Sequence, residues 1–105
     1  MKTLDTESLV FAFVDIETTG SNADRDRITE IGIKTLANGQ ESIWECLVDP
    51  QTFIPQNIQR LTGITPDMVE GQPRFDELAV SIKRELEGKI FVAHNARFDY
   101  GFIKA

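Results

Sequence analysis

The apolar positions follow three rhythms. Residues 9–14, Leu-Val-Phe-Ala-Phe-Val, are an unbroken apolar run rich in β-formers, which predicts a central strand buried on both faces. Turn chemistry at Thr18-Thr-Gly-Ser-Asn22 ends it. Residues 28–36 alternate, with Ile28, Ile31, Ile33 and Thr35 among polar neighbours, and predict a second strand. Asn38-Gly39 tolerates positive φ at both centres of a type I′ turn, so residues 41–48 form a third strand antiparallel to the second. Beyond Pro50 the period changes. Residues 55–61 predict a short helix stopped by Gly63, and Thr65-Pro66 supplies an N-cap followed by proline at the first helical position. Phe75, Leu78, Ala79, Ile82 and Leu86 fall at helical spacing and predict an amphipathic helix over 74–87, ended by Gly88. Residues 89–93 form a fourth strand. Asn95 caps a last helix, with Phe98 and Phe102 on one stripe. The condensed order is β-β-β-α-β-α. This is an α/β chain: a meander, a crossover helix and a returning strand build a mixed sheet.

Composition narrows the classes. At 105 residues the chain makes one domain at most, and 41% hydrophobic with 27% charged residues is globular composition, not disorder. No apolar run approaches the roughly 20 residues that cross a bilayer. Residues 1–13 carry Asp5 and Glu7 beside Lys2, and no cleavage site follows, so they make a poor secretory signal. A single cysteine, Cys46, excludes an internal disulfide and fits a reducing cytoplasm. Eleven basic against 17 acidic residues give a net charge of −6, which argues against a broad basic face for nucleic acid. It does not argue against carboxylates gathered around divalent metals. The last helix runs to Ala105 uncapped, so residues 1–105 are expected to be a single incomplete domain.

The candidate chemistry rests on carboxylates. Residues two apart on a strand share a face, so Phe11, Phe13, Asp15 and Glu17 line one side and Ile16 points the other way. Two acids closing an apolar strand repel each other and lose hydration. A divalent cation offsets both effects, and hard oxygen donors suit Mg²⁺ or Mn²⁺. A strand that has already ended, with both acids in water, fits the local pattern as well. Asp99 stands in the first turn of the last helix, where the helix dipole alone favours an acid. A returning strand parallel to the first brings it to the edge that carries Asp15 and Glu17. His94, the sole histidine, occupies a strand-to-helix corner and reads as structural. Cys46 and Trp44 read as core, and the charged stretches 24–27 and 85–89 as solvated surface.

These motifs together resemble a known family. Phe13-Val-Asp-Ile-Glu-Thr-Thr-Gly20 is similar to the first motif of the DEDD 3′–5′ exonucleases, the family of the proofreading epsilon subunit of bacterial DNA polymerase III. Ala93-His-Asn-Ala-Arg-Phe-Asp99 resembles the second motif, and Ile58-Gln-Arg-Leu-Thr-Gly-Ile-Thr65 with Met68 resembles the loop beside the terminal nucleotide. Arg27-Ile-Thr-Glu-Ile-Gly32 matches the second strand. The resemblance implies a ribonuclease H-like mixed sheet, here truncated before the last strand and helix. It also implies stepwise hydrolysis of DNA or RNA from the 3′ end to nucleoside monophosphates, with two Mg²⁺ or Mn²⁺ ions in the complete enzyme.

By the same resemblance, Asp15, Glu17 and Asp99 are the catalytic metal ligands. Thr18, Thr19, Leu61, Thr62, His94, Asn95 and Phe98 lie against the substrate. The implied partners are the 3′ end of DNA or RNA and a polymerase or other replication or repair subunit. The family's general-base histidine and fourth acid belong to a third motif beyond Ala105, so this chain alone is expected to be nearly or wholly inactive. The alternative is a non-catalytic nucleotide- or metal-binding module. An aspartyl phosphotransferase built on Asp15 fits the second motif badly.

Overall fold

A computed structural model of the chain describes residues 9–93. The elements among them are β1 (Val10–Thr18), β2 (Ile28–Ala37), β3 (Gln40–Leu47), α1 (Gln56–Thr62), α2 (Pro66–Val69), α3 (Phe75–Leu86) and β4 (Ile90–Ala93). The strands form one sheet in the order β3-β2-β1-β4. Antiparallel pairing joins β1 to β2 and β2 to β3, and β4 runs parallel to β1. Asn38 and Gly39 make the β2–β3 turn with φ of 54° and 75°, the pair of positive angles whose twist matches that of a hairpin. The parallel return of β4 requires a long crossover. The short helices expected after Pro55 and Pro66 are both present, so that crossover holds three helices where the condensed order counted one. The last helix, expected from Asn95, lies outside the described residues.

Local chemistry sets each helix. Gly63 adopts φ 77° and its N–H returns to the Gln59 carbonyl at 2.8 Å, ending α1 in the left-handed conformation that costs glycine nothing. At the start of α3 the Arg74 N–H donates to Glu77 Oε1 at 2.9 Å. Asp76 and Glu77 occupy its first turn, Lys83 and Arg84 its last, as the helix dipole favours.

The core lies on one side of the sheet. Ala12, Val14 and Ile16 of β1 join Ile28, Ile31, Ile33, Val48 and Ile82 of α3, with Trp44, Phe75 and Leu86 packed around them. A second cluster, Ile54, Ile64 and Val69, packs with Leu47 and Ile58 and ties α1 and α2 to the end of β3. The alternate positions of β1 face the other way: Phe13 and Asp15 are exposed, Phe11 and Glu17 half-buried. β1 is therefore not buried on both faces. The apolar run misled because Phe11 and Phe13, on the open face, are as apolar as the core residues between them. Asp15 accordingly keeps its hydration, against expectation. Trp44 and Cys46 pair with Ile33 and Ile31 and so share their face. Half-burial pushes the Cys46 thiol pKa up through lost solvation.

One irregularity sits at the end of β1. Glu17 pairs with Glu30 but Thr18 pairs with Ile28, so Thr29 is an extra residue, a β-bulge. The bulge buries Ile28 and Thr29 together and leaves Glu30 on the open face. Thr29 is 1% exposed, and its hydroxyl has no hydrogen-bond partner. A buried unsatisfied hydroxyl costs about 1–3 kcal/mol. Thr29→Val keeps the branched shape without that group. It is expected to stabilise the chain by about 1 kcal/mol and raise Tm by roughly 5 °C in a thermal melt.

Candidate active site

The open face of the sheet gathers acids. Asp15 pairs with Gly32, which pairs with Glu45, and Glu17 pairs with Glu30. Directly opposed residues share a face, so Asp15, Glu17, Glu30 and Glu45 stand on one surface. Opposed like charges such as Glu17 and Glu30 destabilise a sheet, and a cation relieves that cost. Glu30 and Glu45 escaped the reading of the sequence. The signal was there: the turn at Asn38-Gly39 fixes Ala37 opposite Gln40, and counting back from it places Gly32 opposite Glu45.

Two neighbouring cavities open from this end of the sheet. One, of about 510 Å³, is lined by Phe13, Asp15, Glu30, Glu45 and Val92 among others. The other, of about 610 Å³, brings Glu17, Thr18 and Thr19 of the β1 end together with Leu61 and Thr62 of α1. Leu61 is 81% exposed, a large apolar side chain held in water at the cavity wall. The Thr18 hydroxyl donates to the Gly20 carbonyl, and Thr62 Oγ1 donates to the Ile58 carbonyl at 2.9 Å. The predicted residues His94, Asn95, Phe98 and Asp99 lie outside the described residues. β4 runs parallel to β1 with Ala93 opposite Val14, one position before Asp15.

Among the described residues no group of three or more His, Cys, Asp or Glu is placed to hold a metal ion. Asp15 and Glu17 supply two hard carboxylate donors on one face of one strand, which suits part of a Mg²⁺ or Mn²⁺ site.

The loop from β1 to β2 is more ordered than a solvated charge cluster. Asp24, Arg25 and Arg27 are exposed as expected, but the Asp26 side chain is only 14% exposed. Its carboxylate accepts from Thr19 Oγ1 at 3.3 Å and from the Asn22 N–H at 3.0 Å. Gly20 lies directly against it, and a Cβ there would fall 2.7 Å from the carboxyl carbon. Charge at position 26 is legible in the chain's composition, but the fold-back that shields most of its side chain is not.

Comparison with known proteins bears on this geometry. Residues 12–105 match the model of the RNase_T family, described as exonuclease. The 3′-5′ exonuclease DinG of Staphylococcus haemolyticus is 42% identical over 95 residues, covering 90% of this chain and 11% of that protein. DNA polymerase III subunit epsilon of Treponema pallidum is 39% identical over 100 residues, covering 94% of this chain and 46% of the relative. Exonuclease I from Methylocaldum szegediense superimposes with a TM-score of 0.78 at 21% identity, over 90% of this chain and 22% of its own. The chain thus spans less than half the length of each. The expected ribonuclease H-like mixed sheet is the fold observed. With a family match over nearly its whole length, the chain belongs to the RNase_T exonuclease family.

Proposed function

We propose that this chain is part of a metal-dependent 3′–5′ exonuclease that hydrolyses DNA or RNA to nucleoside monophosphates. One observation carries the reading: β4 ends parallel to β1 with Ala93 opposite Val14, one position from Asp15, and the end of β1 shares a cavity among Glu17, Thr18, Thr19, Leu61 and Thr62.

Each residue then has a task. Two Mg²⁺ or Mn²⁺ ions, when bound, supply charge that acidifies the attacking water and stabilises the leaving oxygen. Asp15 would hold both ions, Glu17 one and Asp99 the other. Glu17 lines the second cavity and would also receive the terminal 3′-hydroxyl. With the Thr19 hydroxyl and N–H already engaged by Asp26 and Arg27, Thr18 and Thr19 would form the wall beside the last nucleotide. Leu61 and Thr62 wall its sugar and base, since an apolar side chain at a cavity suits the flat face of a base. His94, Asn95 and Phe98 complete the substrate side. Residues 1–105 are read as one incomplete domain, and low activity of this chain by itself belongs to the reading. A polymerase or another replication or repair subunit is the partner class it favours, and the cytoplasm the location. No helix among the described residues is long and apolar enough to cross a membrane.

The test is a 5′-labelled oligonucleotide incubated with the chain alone and with the chain extended by whatever its gene encodes after Ala105. The extended protein is expected to produce a ladder shortening from the 3′ end in Mg²⁺ or Mn²⁺. Chelation should lower the rate at least about a hundredfold, reversed by adding Mn²⁺. Cleavage that resists chelation, or internal cuts, would overturn the reading. Binding of the end without any cleavage would favour the non-catalytic module instead.

A further inference from the structure

Resting on the exonuclease reading, we propose that Asp26 is a positioning residue for the terminal nucleotide. Its carboxylate is the strut that fixes the turn on which that nucleotide lies. Thr19 is held on both sides: its N–H donates to the Arg27 carbonyl at 2.8 Å, and its hydroxyl oxygen accepts from the Arg27 N–H at 3.0 Å. The same hydroxyl then donates to Asp26 Oδ1 at 3.3 Å. The other carboxylate oxygen accepts from the Asn22 N–H at 3.0 Å, and the Asp26 N–H returns to the Asn22 carbonyl at 2.7 Å. One side chain therefore ties both ends of a loop whose first residues wall the cavity. Gly20 seats against the carboxylate with no room for a side chain between them. The Arg25 guanidinium, 3.6 Å from Oδ2 and 77% exposed, adds little, because exposed pairs of this kind are screened by water.

Asp26 holds the wall and does not touch the reacting atoms. Loss of the strut should therefore weaken substrate binding far more than it slows the chemical step. A competing role is electrostatic. Asp26 and Glu17 both line the cavity, and if Asp26 acted by its charge, removing it would tighten the grip on a polyanion.

The extended protein separates these roles. Activity on a 5′-labelled oligo-dT gives kcat and KM. Affinity for the same strand with a cleavage-resistant terminal phosphorothioate, measured against salt, gives the charge dependence. Asp26→Ala is expected to raise KM about tenfold with kcat within about threefold and the salt slope unchanged. Asp26→Asn should recover most of the loss. Its amide oxygen accepts from the Asn22 N–H, and its amide N–H donates to the Thr19 hydroxyl. Gly20→Ala, which displaces the carboxylate without removing it, should raise KM in the same direction. This variant decides the matter if Asp26→Ala does not fold. Unchanged KM in Asp26→Ala with a lowered Tm, tighter binding, or Asp26→Asn as impaired as Asp26→Ala would each overturn the proposal for Asp26 alone. A wild-type protein that neither binds nor shortens a 3′ end would overturn the exonuclease reading and this proposal with it.

Discussion

Asp15→Asn should lower the single-turnover rate of 3′-end shortening about a thousandfold or more while leaving the fold intact. The substitution keeps shape and removes one anionic donor. On the proposed reading Asp15 holds two ions, and neutralising such a ligand forfeits several kcal/mol of transition-state stabilisation, each 1.36 kcal/mol being about tenfold in rate. The position makes the experiment clean. Asp15 is exposed on the open face of β1, opposite Gly32, and contributes nothing to the core. Circular dichroism should be unchanged and Tm should move by no more than roughly 2 °C. Any shift is expected upward, because the charge lost is one of four acids on one surface. Apparent Mn²⁺ affinity, read by titration of activity, should fall in parallel. Equal shortening by Asp15→Asn and wild type would remove Asp15 from the chemistry.

The largest loss of stability is expected at Ile31. Its side chain is 0% exposed in the middle of β2, packed among Val14, Ile16 and Ile33 in the main cluster. Ile31→Ala deletes three buried carbons and leaves a cavity that paired strands on both sides of β2 cannot collapse to fill, so about 3–4 kcal/mol should be lost. For a chain of this size total stability is roughly 5–15 kcal/mol, and the variant should melt some 15 °C lower or fail to fold at 37 °C. Ile43→Ala is the matched control. Ile43 is 67% exposed on the neighbouring strand, and its loss should fall within about 0.5 kcal/mol in urea unfolding. Similar losses at the two positions would mean that the core is not where the structure puts it.

Periodicity carried most of the architecture. The stripe from Phe75 to Leu86 predicts α3, and Asn38-Gly39 predicts the hairpin, because both are local: neighbours in sequence decide them. The fourth strand was also legible, and with it the consequence that a parallel return would end near Asp15. What escaped depends on partners far along the chain. Whether Phe11 and Phe13 face core or water is set by which side of the sheet α3 covers, and nothing within residues 9–18 records that. The bulge at Thr29 arises between two strands, so alternation within either one hides it. Asp26 looked like one more acid in a polar loop, since folding back onto Gly20 is a tertiary event. The meeting of Thr18 and Thr19 with Leu61 and Thr62 in one cavity was suggested by motif resemblance, not by spacing, since the β2–β3 hairpin and the first part of the crossover separate them.

The pairing of β1 with β4 also orders events in time. Phe11 lies beside Ile90 across a separation of 79 residues, whereas β2 and β3 close over a two-residue turn. Closing the longer loop carries the greater entropic penalty, and pairings between distant segments form slowly. During synthesis the hairpin can zip up as soon as it emerges, while β1 must wait for nearly the entire crossover before its second neighbour arrives. A nascent chain therefore cannot complete this sheet until residues 90–93 have been made, and the strand that carries Asp15 and Glu17 gains its parallel neighbour last among the described strands.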